Sequence, residues 1–261
     1  MITGFMARRR VAPAGVMLAL VLAGGASLAA QGGQQPAAPQ PPATPRARAP
    51  IDLTGYWVSI VNEDWRWRMV TPPKGDVSSV PLNPEGTKLA NAWDPATDGS
   101  CLAYGAAGLM RMPTRLNITW QDDRTIKIET DAGQQTRLLR FDGGAAPAQR
   151  SLQGHSLAQW EPVPQPGRGG GPPQIPRFGN LKVTTTSLTA GWLRKNGVPY
   201  SENATLTEYF DRFKAPNNDE WLVVTTIVAD PRYLNQDFVT SSHFKKEPNG
   251  AKWSPSPCKP V

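Results

Sequence analysis

The stretch Glu63-Asp64-Trp65-Arg66-Trp67-Arg68 alternates acid, aromatic and base. On a strand, Trp65 and Trp67 would share one face, and Arg66 and Arg68 the other. An aromatic wall with a charged rim suits a sugar or an aromatic ligand, and arginine stacks on such rings. With Trp57 just upstream, these residues form the candidate ligand-binding set. The same alternation also describes two core tryptophans on a half-buried strand, so the pattern alone leaves both readings open.

Acid–base and nucleophilic chemistry has fewer candidates. The chain has two histidines, His155 and His243. His155 lies in Ser151-Leu-Gln-Gly-His-Ser156, a polar stretch suited to a barrel mouth, and it is the first candidate for a catalytic residue. Ser151 or Ser156 could serve beside it, and Ser241 or Ser242 beside His243. Such triads are assembled in space, so proximity along the chain is poor evidence, and no G-x-S-x-G elbow is present. Glu63, Asp64, Asp94, Asp98, Glu208 and Asp230 could supply an acid–base pair, but spacing selects none, because the required separation is spatial. Asp122-Asp123 reads as a turn, and Asp94-Pro95 and Asp230-Pro231 read as element breaks.

No metal or cofactor is expected. Metal sites draw on three or four clustered ligands, and no CxxC or Cys/His cluster occurs. The calcium-loop pattern is absent. Gly169-Gly170-Gly171 is not a phosphate loop, because no Lys-Ser/Thr and helix follow it.

The elements that would position these residues begin after an export signal. Arg8, Arg9 and Arg10 precede an uncharged stretch from Val11 to Ala30, and Ser27-Leu28-Ala29 offers small residues for cleavage after Ala29 or one residue later. Residues 1–30 therefore read as a signal peptide. The apolar part is shorter than the roughly 20 residues of a spanning helix, and Gly24-Gly25 interrupts it. No cysteine stands at the cleavage point, so no lipid anchor is expected, and the mature chain is predicted to be periplasmic or extracellular. The arginine run leaves the general secretory and twin-arginine routes both open. Residues 31–50, rich in Gln, Pro and Ala, read as a disordered linker.

Charge follows the same division. The net charge is +7, yet the first 50 residues hold five arginines and no acid. Residues 51–261 hold 23 basic and 21 acidic side chains. A nucleic-acid role, which needs a clustered basic face, loses its main support. Cys101 and Cys258 are the only cysteines, and in an oxidising compartment they predict one disulfide drawing the C-terminal tail onto the first half of the domain.

Residues 51–261 read as a single β-rich domain. Leu116–Trp120, Thr125–Thr130 and Gln134–Phe141 alternate and are separated by turns, which predicts an antiparallel meander. Leu181–Ser187 and Leu188–Lys195 follow, with a hairpin signal at Asn196-Gly197. Asn203–Phe213, Trp221–Val228 and Phe238–Phe244 complete the strands. Pro84–Trp93 is the best helix, with proline in the first turn. A Pro/Gly loop spans 163–178. The fold class is mainly β: an antiparallel up-and-down barrel or strongly curved sheet, with a β-sandwich as the competitor.

Gly55-Tyr56-Trp57, entering a first strand, resembles the G-x-W signature of lipocalins. That resemblance implies a tryptophan closing one end of a ligand-holding barrel. The longer pattern, including 63–68 and 222–234, is similar to secreted bacterial proteins of unknown function with lipocalin-like or related β folds. The expected partner is a small apolar or aromatic molecule, or a glycan, with no nucleic acid and no membrane anchor after cleavage. The competing functions are a carbohydrate- or envelope-binding module using exposed tryptophans, and a hydrolase or isomerase with its site at the barrel mouth.

Overall fold

The computed structural model describes residues 42–96, 98, 101–163 and 178–258. The signal-peptide reading at 1–30, the first part of the linker and most of the Pro/Gly loop lie outside the described residues.

Alternation of apolar and polar side chains dictates the architecture. Strands β1 (Gly55–Ile60), β2 (Arg115–Asp122), β3 (Thr125–Thr130), β5 (Thr136–Arg140), β6 (His155–Pro162), β7 (Gly179–Thr186), β10 (Thr205–Lys214), β11 (Glu220–Ala229) and β12 (Phe238–Glu247) each have one face to bury. They close into a barrel in the order β1, β12, β11, β10, β7, β6, β5, β3, β2, which leaves no long edge unpaired. Neighbours run antiparallel except β5 and β6, which pair in parallel through Leu139–Ser156 and Arg140–Leu157. A parallel pair needs a long connection, and residues 141–154 supply it. The barrel is the predicted fold class, and the meander of β2, β3 and β5 lies as expected.

Three short elements finish the sheet inventory. β8 (Gly191–Arg194) and β9 (Val198–Tyr200) form the hairpin signalled by Asn196-Gly197, while β4 (Ala132–Gly133) pairs with β13 (Ser256–Pro257). Gly197 has φ +76°, and a Cβ there would collide with the Trp93 ring. The helices are α1 (Trp65–Arg68), α2 (Pro84–Ala92) and α3 (Ala106–Leu109). The Asn83 side chain accepts a hydrogen bond from the Gly86 amide and caps α2, whose first residue is Pro84.

Register defines what fills the barrel. Trp57, Leu116, Ile118, Ile126, Ile128, Leu139, Leu181, Val183, Phe210, Leu222, Val224 and Phe244 point inward and are buried. Two charged residues join them. Arg137 on β5 and Glu208 on β10 make a bidentate pair, Nη1 to Oε1 at 2.9 Å and Nη2 to Oε2 at 2.6 Å, with both side chains at 0% exposure. Strands β6 and β7 lie between them, so the pair spans the interior rather than running along one ladder. Thr185 accepts a further bond from Arg137 at 3.3 Å, and its hydroxyl lies 2.8 Å from that of Ser156. The inner strand faces thus meet in a packed core that includes a bidentate ion pair, with Arg137 Nε alone left without a partner.

The two ends of the barrel differ. β2, β5, β6 and β10 finish at one end, where Trp120, Phe141 and Trp160 gather. Residues 44–49, read from sequence as linker, form hydrogen-bonded turns there, and Trp160 Nε1 donates to the Pro45 carbonyl at 2.9 Å. At the opposite end, α3 and the β8–β9 hairpin build a second core around Leu193, Val198, Tyr200 and Leu206. Cys101 and Cys258 form the disulfide, Cα atoms 5.7 Å apart, and β13 lies alongside β4 as the extended tail segment.

Two stability outcomes follow from these contacts. Glu208→Gln leaves the Arg137 charge buried without its counter-charge and should cost about 3–5 kcal/mol in chemical denaturation. Arg137→Met with Glu208→Leu should lose much less than the two single changes added together. Reducing the disulfide frees a loop of 157 residues. The chain-entropy model puts that loss at about 4–5 kcal/mol, read as a lower denaturation midpoint in reductant.

Candidate functional site

The sequence-predicted residues do not assemble as one strand-borne wall. Asp64 adopts φ 51°, and Trp65–Arg68 winds into a single helical turn where alternation predicts a strand. The reason is tertiary. Arg68 Nε donates to the Arg111 carbonyl at 2.8 Å, and its Nη1 pairs with Glu63. Trp67 Nε1 donates to Asp76 at 3.1 Å. These contacts pull Arg68 inward and leave Trp65 64% exposed. Trp65 and Trp67 therefore do not form a shared wall. Arg66 lies outside, 5.5 Å from the Trp67 ring centre and 3.4 Å from Asp76. Trp57 on β1 is fully buried in the barrel core, with Nε1 on the Leu53 carbonyl at 2.9 Å and Lys246 Nζ 5.3 Å above its ring.

What does gather around this segment is cationic. Arg68, Arg111, Arg194 and Lys195 border one small cavity together with Trp67 and Thr71. α1 supplies Arg68, the turn after α3 supplies Arg111, and β8 supplies Arg194. Arg194 lies 4.9 Å over the Trp67 ring, and Arg111 pairs with Asp64 at 2.9 Å. Burial, and then the charge of Arg111, pulls the Arg68 guanidinium down to about 10, and the same two causes bring Arg194 to about 10. Both stay protonated at neutral pH.

The histidines hydrogen-bond to groups other than serine, though Ser151 and Ser156 line the same groove as His155. His155 faces outward from β6 and its Nε2 bonds the Gly144 carbonyl at 3.0 Å, while Ser156 faces inward to Thr185. Ser151 Oγ accepts from the Gly154 amide. His155 flanks an open groove of about 580 Å³ with Arg140, Asp142 and Gln153. His243 Nδ1 contacts Glu63 at 2.8 Å, and burial with the nearby Arg68 charge lowers its pKa. The candidate carboxylates are engaged in structure. Glu208 holds Arg137, Asp230 receives Ser201 and Arg232 amides, Asp94 receives the Ala96 amide, and Asp98 receives Trp93 Nε1 at 2.9 Å. Among the described residues, no group of three or more His, Cys, Asp or Glu could hold a metal ion.

Sequence reasoning missed the largest concavity of the three. A groove of about 840 Å³ opens at the Trp120 end, lined by Arg46, Ile51, Trp120, Phe178, Phe213 and Lys214 among others. Phe178 and Phe213, both in this lining, are 63% and 51% exposed. Behind them Trp120, Phe141 and Trp160 form a ring cluster with centroids 5.4–6.4 Å apart. No helix among the described residues is long and apolar enough to cross a membrane. Exposed Trp65 is likewise solitary: the other tryptophans are buried or half-buried.

The two candidate tryptophans should separate cleanly. Trp57→Ala should cost about 3–5 kcal/mol, since it empties a packed core position. Trp65→Ala should move stability by no more than about 0.5 kcal/mol. Thermal melts of the two variants beside the parent check this. No protein-family model, no curated protein and no solved structure matches the chain.

Proposed function

We propose that the protein is an exported binding protein for a small apolar or aromatic ligand, held in the groove at the Trp120 end of the barrel. The observation that carries this reading is the exposed pair Phe178 and Phe213 facing the Trp120 groove. The groove's volume of about 840 Å³ falls within the range of small-molecule sites. A ligand ring or chain lying there would cover apolar surface that is otherwise wet. Lys214 on the rim would suit a carboxylate or phenolate on the ligand, while Arg212 pairs with Glu220 at 2.8 Å and Arg46 with Asp123 at 3.7 Å.

The reading keeps the lipocalin resemblance as a matter of architecture and relocates the ligand. The inward side chains of this barrel pack into a core, and the largest of the three described concavities lies at one end. The disulfide is compatible with an oxidising compartment, and it supports export.

Tryptophan fluorescence tests the proposal. Fatty acids, retinoids, steroids and phenolics titrated into the mature protein should include a ligand with a saturable change, reported by Trp120. Phe213→Ser should weaken that ligand at least tenfold without moving the melting temperature. A panel with no saturable member, or an unchanged affinity in Phe213→Ser, sinks the assignment.

A further inference from the structure

We propose that the opposite end of the barrel binds a compact oxyanion, a phosphate or sulfate group, through the guanidinium groups of Arg194 and Arg111. The site is independent of the aromatic groove.

The argument begins with an unmet demand. Arg194 is only 3% exposed, yet its Nε, Nη1 and Nη2 are all buried without a hydrogen-bond partner. Arg111 is 5% exposed, and its Nη2 is in the same condition. Folded proteins satisfy nearly all buried polar groups, and a buried charge without an acceptor is costly. Four such nitrogens on two neighbouring guanidiniums call for an acceptor that is not part of the chain.

The space around them says what it must be. Both side chains line one cavity of about 70 Å³, with Arg68 and Lys195 on its wall. That volume holds a few water-sized groups, too little for a ring or an acyl chain and enough for an oxyanion head. Guanidinium forks match the oxygens of phosphate or sulfate with paired bonds. Trp67 lies under Arg194 at 4.9 Å and holds the guanidinium against an aromatic face.

The carboxylates nearby are already engaged. Glu63 contacts Arg68 and His243. Asp64 takes Arg111 Nη1 at 2.9 Å, and Asp76 takes Trp67 Nε1 at 3.1 Å and Arg66 at 3.4 Å. Asp64 and Asp76 act on Arg194 through space, and neither accepts a bond from it. They offset part of the positive charge and leave these four buried nitrogens without an acceptor in the chain. The ligand is either the free ion or the terminal group of a larger molecule reaching in from solvent.

Calorimetric titration of the mature protein in chloride buffer, with sodium phosphate and sodium sulfate at fixed ionic strength, tests the site. A saturable one-to-one isotherm is expected with at least one of the two anions. Arg194→Met should weaken it at least tenfold, and Lys252→Met, a surface charge removed elsewhere, should leave it within twofold. Arg194→Met should also melt at or above the parent in anion-free buffer, because it removes an unsatisfied buried charge. Should that variant fail to fold, Arg194→Lys keeps the charge without the fork and should still bind at least tenfold more weakly. No saturable heat with either anion, or equal affinity in the folded Arg194 variant, overturns the proposal. An organic phosphate that binds at least tenfold more tightly than the free ion would identify a larger ligand as the source of the group.

Discussion

An ion pair sealed from water ties this barrel together. Neither Arg137 nor Glu208 is reached by solvent, and each nitrogen–oxygen bond between them crosses from one wall to another. Charges in such a place are tolerable only when matched and hydrogen-bonded. Thr185 and Ser156 are therefore drawn in around the guanidinium, and bulky apolar side chains close over the rest. A hollow, ligand-holding interior would have to sit beside this polar bridge. Large apolar side chains pack around it instead, and two of the described concavities lie at the ends of the barrel.

Those ends have opposite character because different kinds of chain return to them. At one, aromatic side chains from strand termini cluster under residues 44–51, and the groove there mixes aromatic and basic side chains. At the other, short helical turns and a hairpin bring three arginines from Arg68, Arg111 and Arg194 to one small cavity. A barrel serves both well, since its rigid wall holds the two sites apart and lets each be built from loops.

Most of the wall is legible in the sequence, because period-two alternation is a local signal. Ile126 and Ile128 against Lys127 and Glu129 is enough to place β3. β6 escapes the pattern because its inward residues include small Ser156 and Ala158, which carry little hydrophobic contrast. The turn at Trp65–Arg68 is misread for the reverse reason. Six alternating residues look like a strand, but the left-handed Asp64 and partners at Asp76 and Arg111 override the local preference. The aromatic groove could not be read at all, since Arg46, Trp120, Phe178 and Phe213 meet only through closure of the sheet. Arg194 is likewise an ordinary basic residue in a hairpin until its neighbours are known.

The parallel junction of β5 and β6 gives the wall a seam. Leu139–Ser156 and Arg140–Leu157 are its whole register, whereas β10 and β11 pair continuously from Thr205–Ala229 to Lys214–Glu220. Local opening begins where the fewest bonds must break, so this junction is where the cylinder would part. Arg137 stands on the β5 side of that seam and Glu208 on the far side of β6 and β7. The pair works as an internal hoop, spanning the joint from within and resisting its separation by a bond that solvent does not reach.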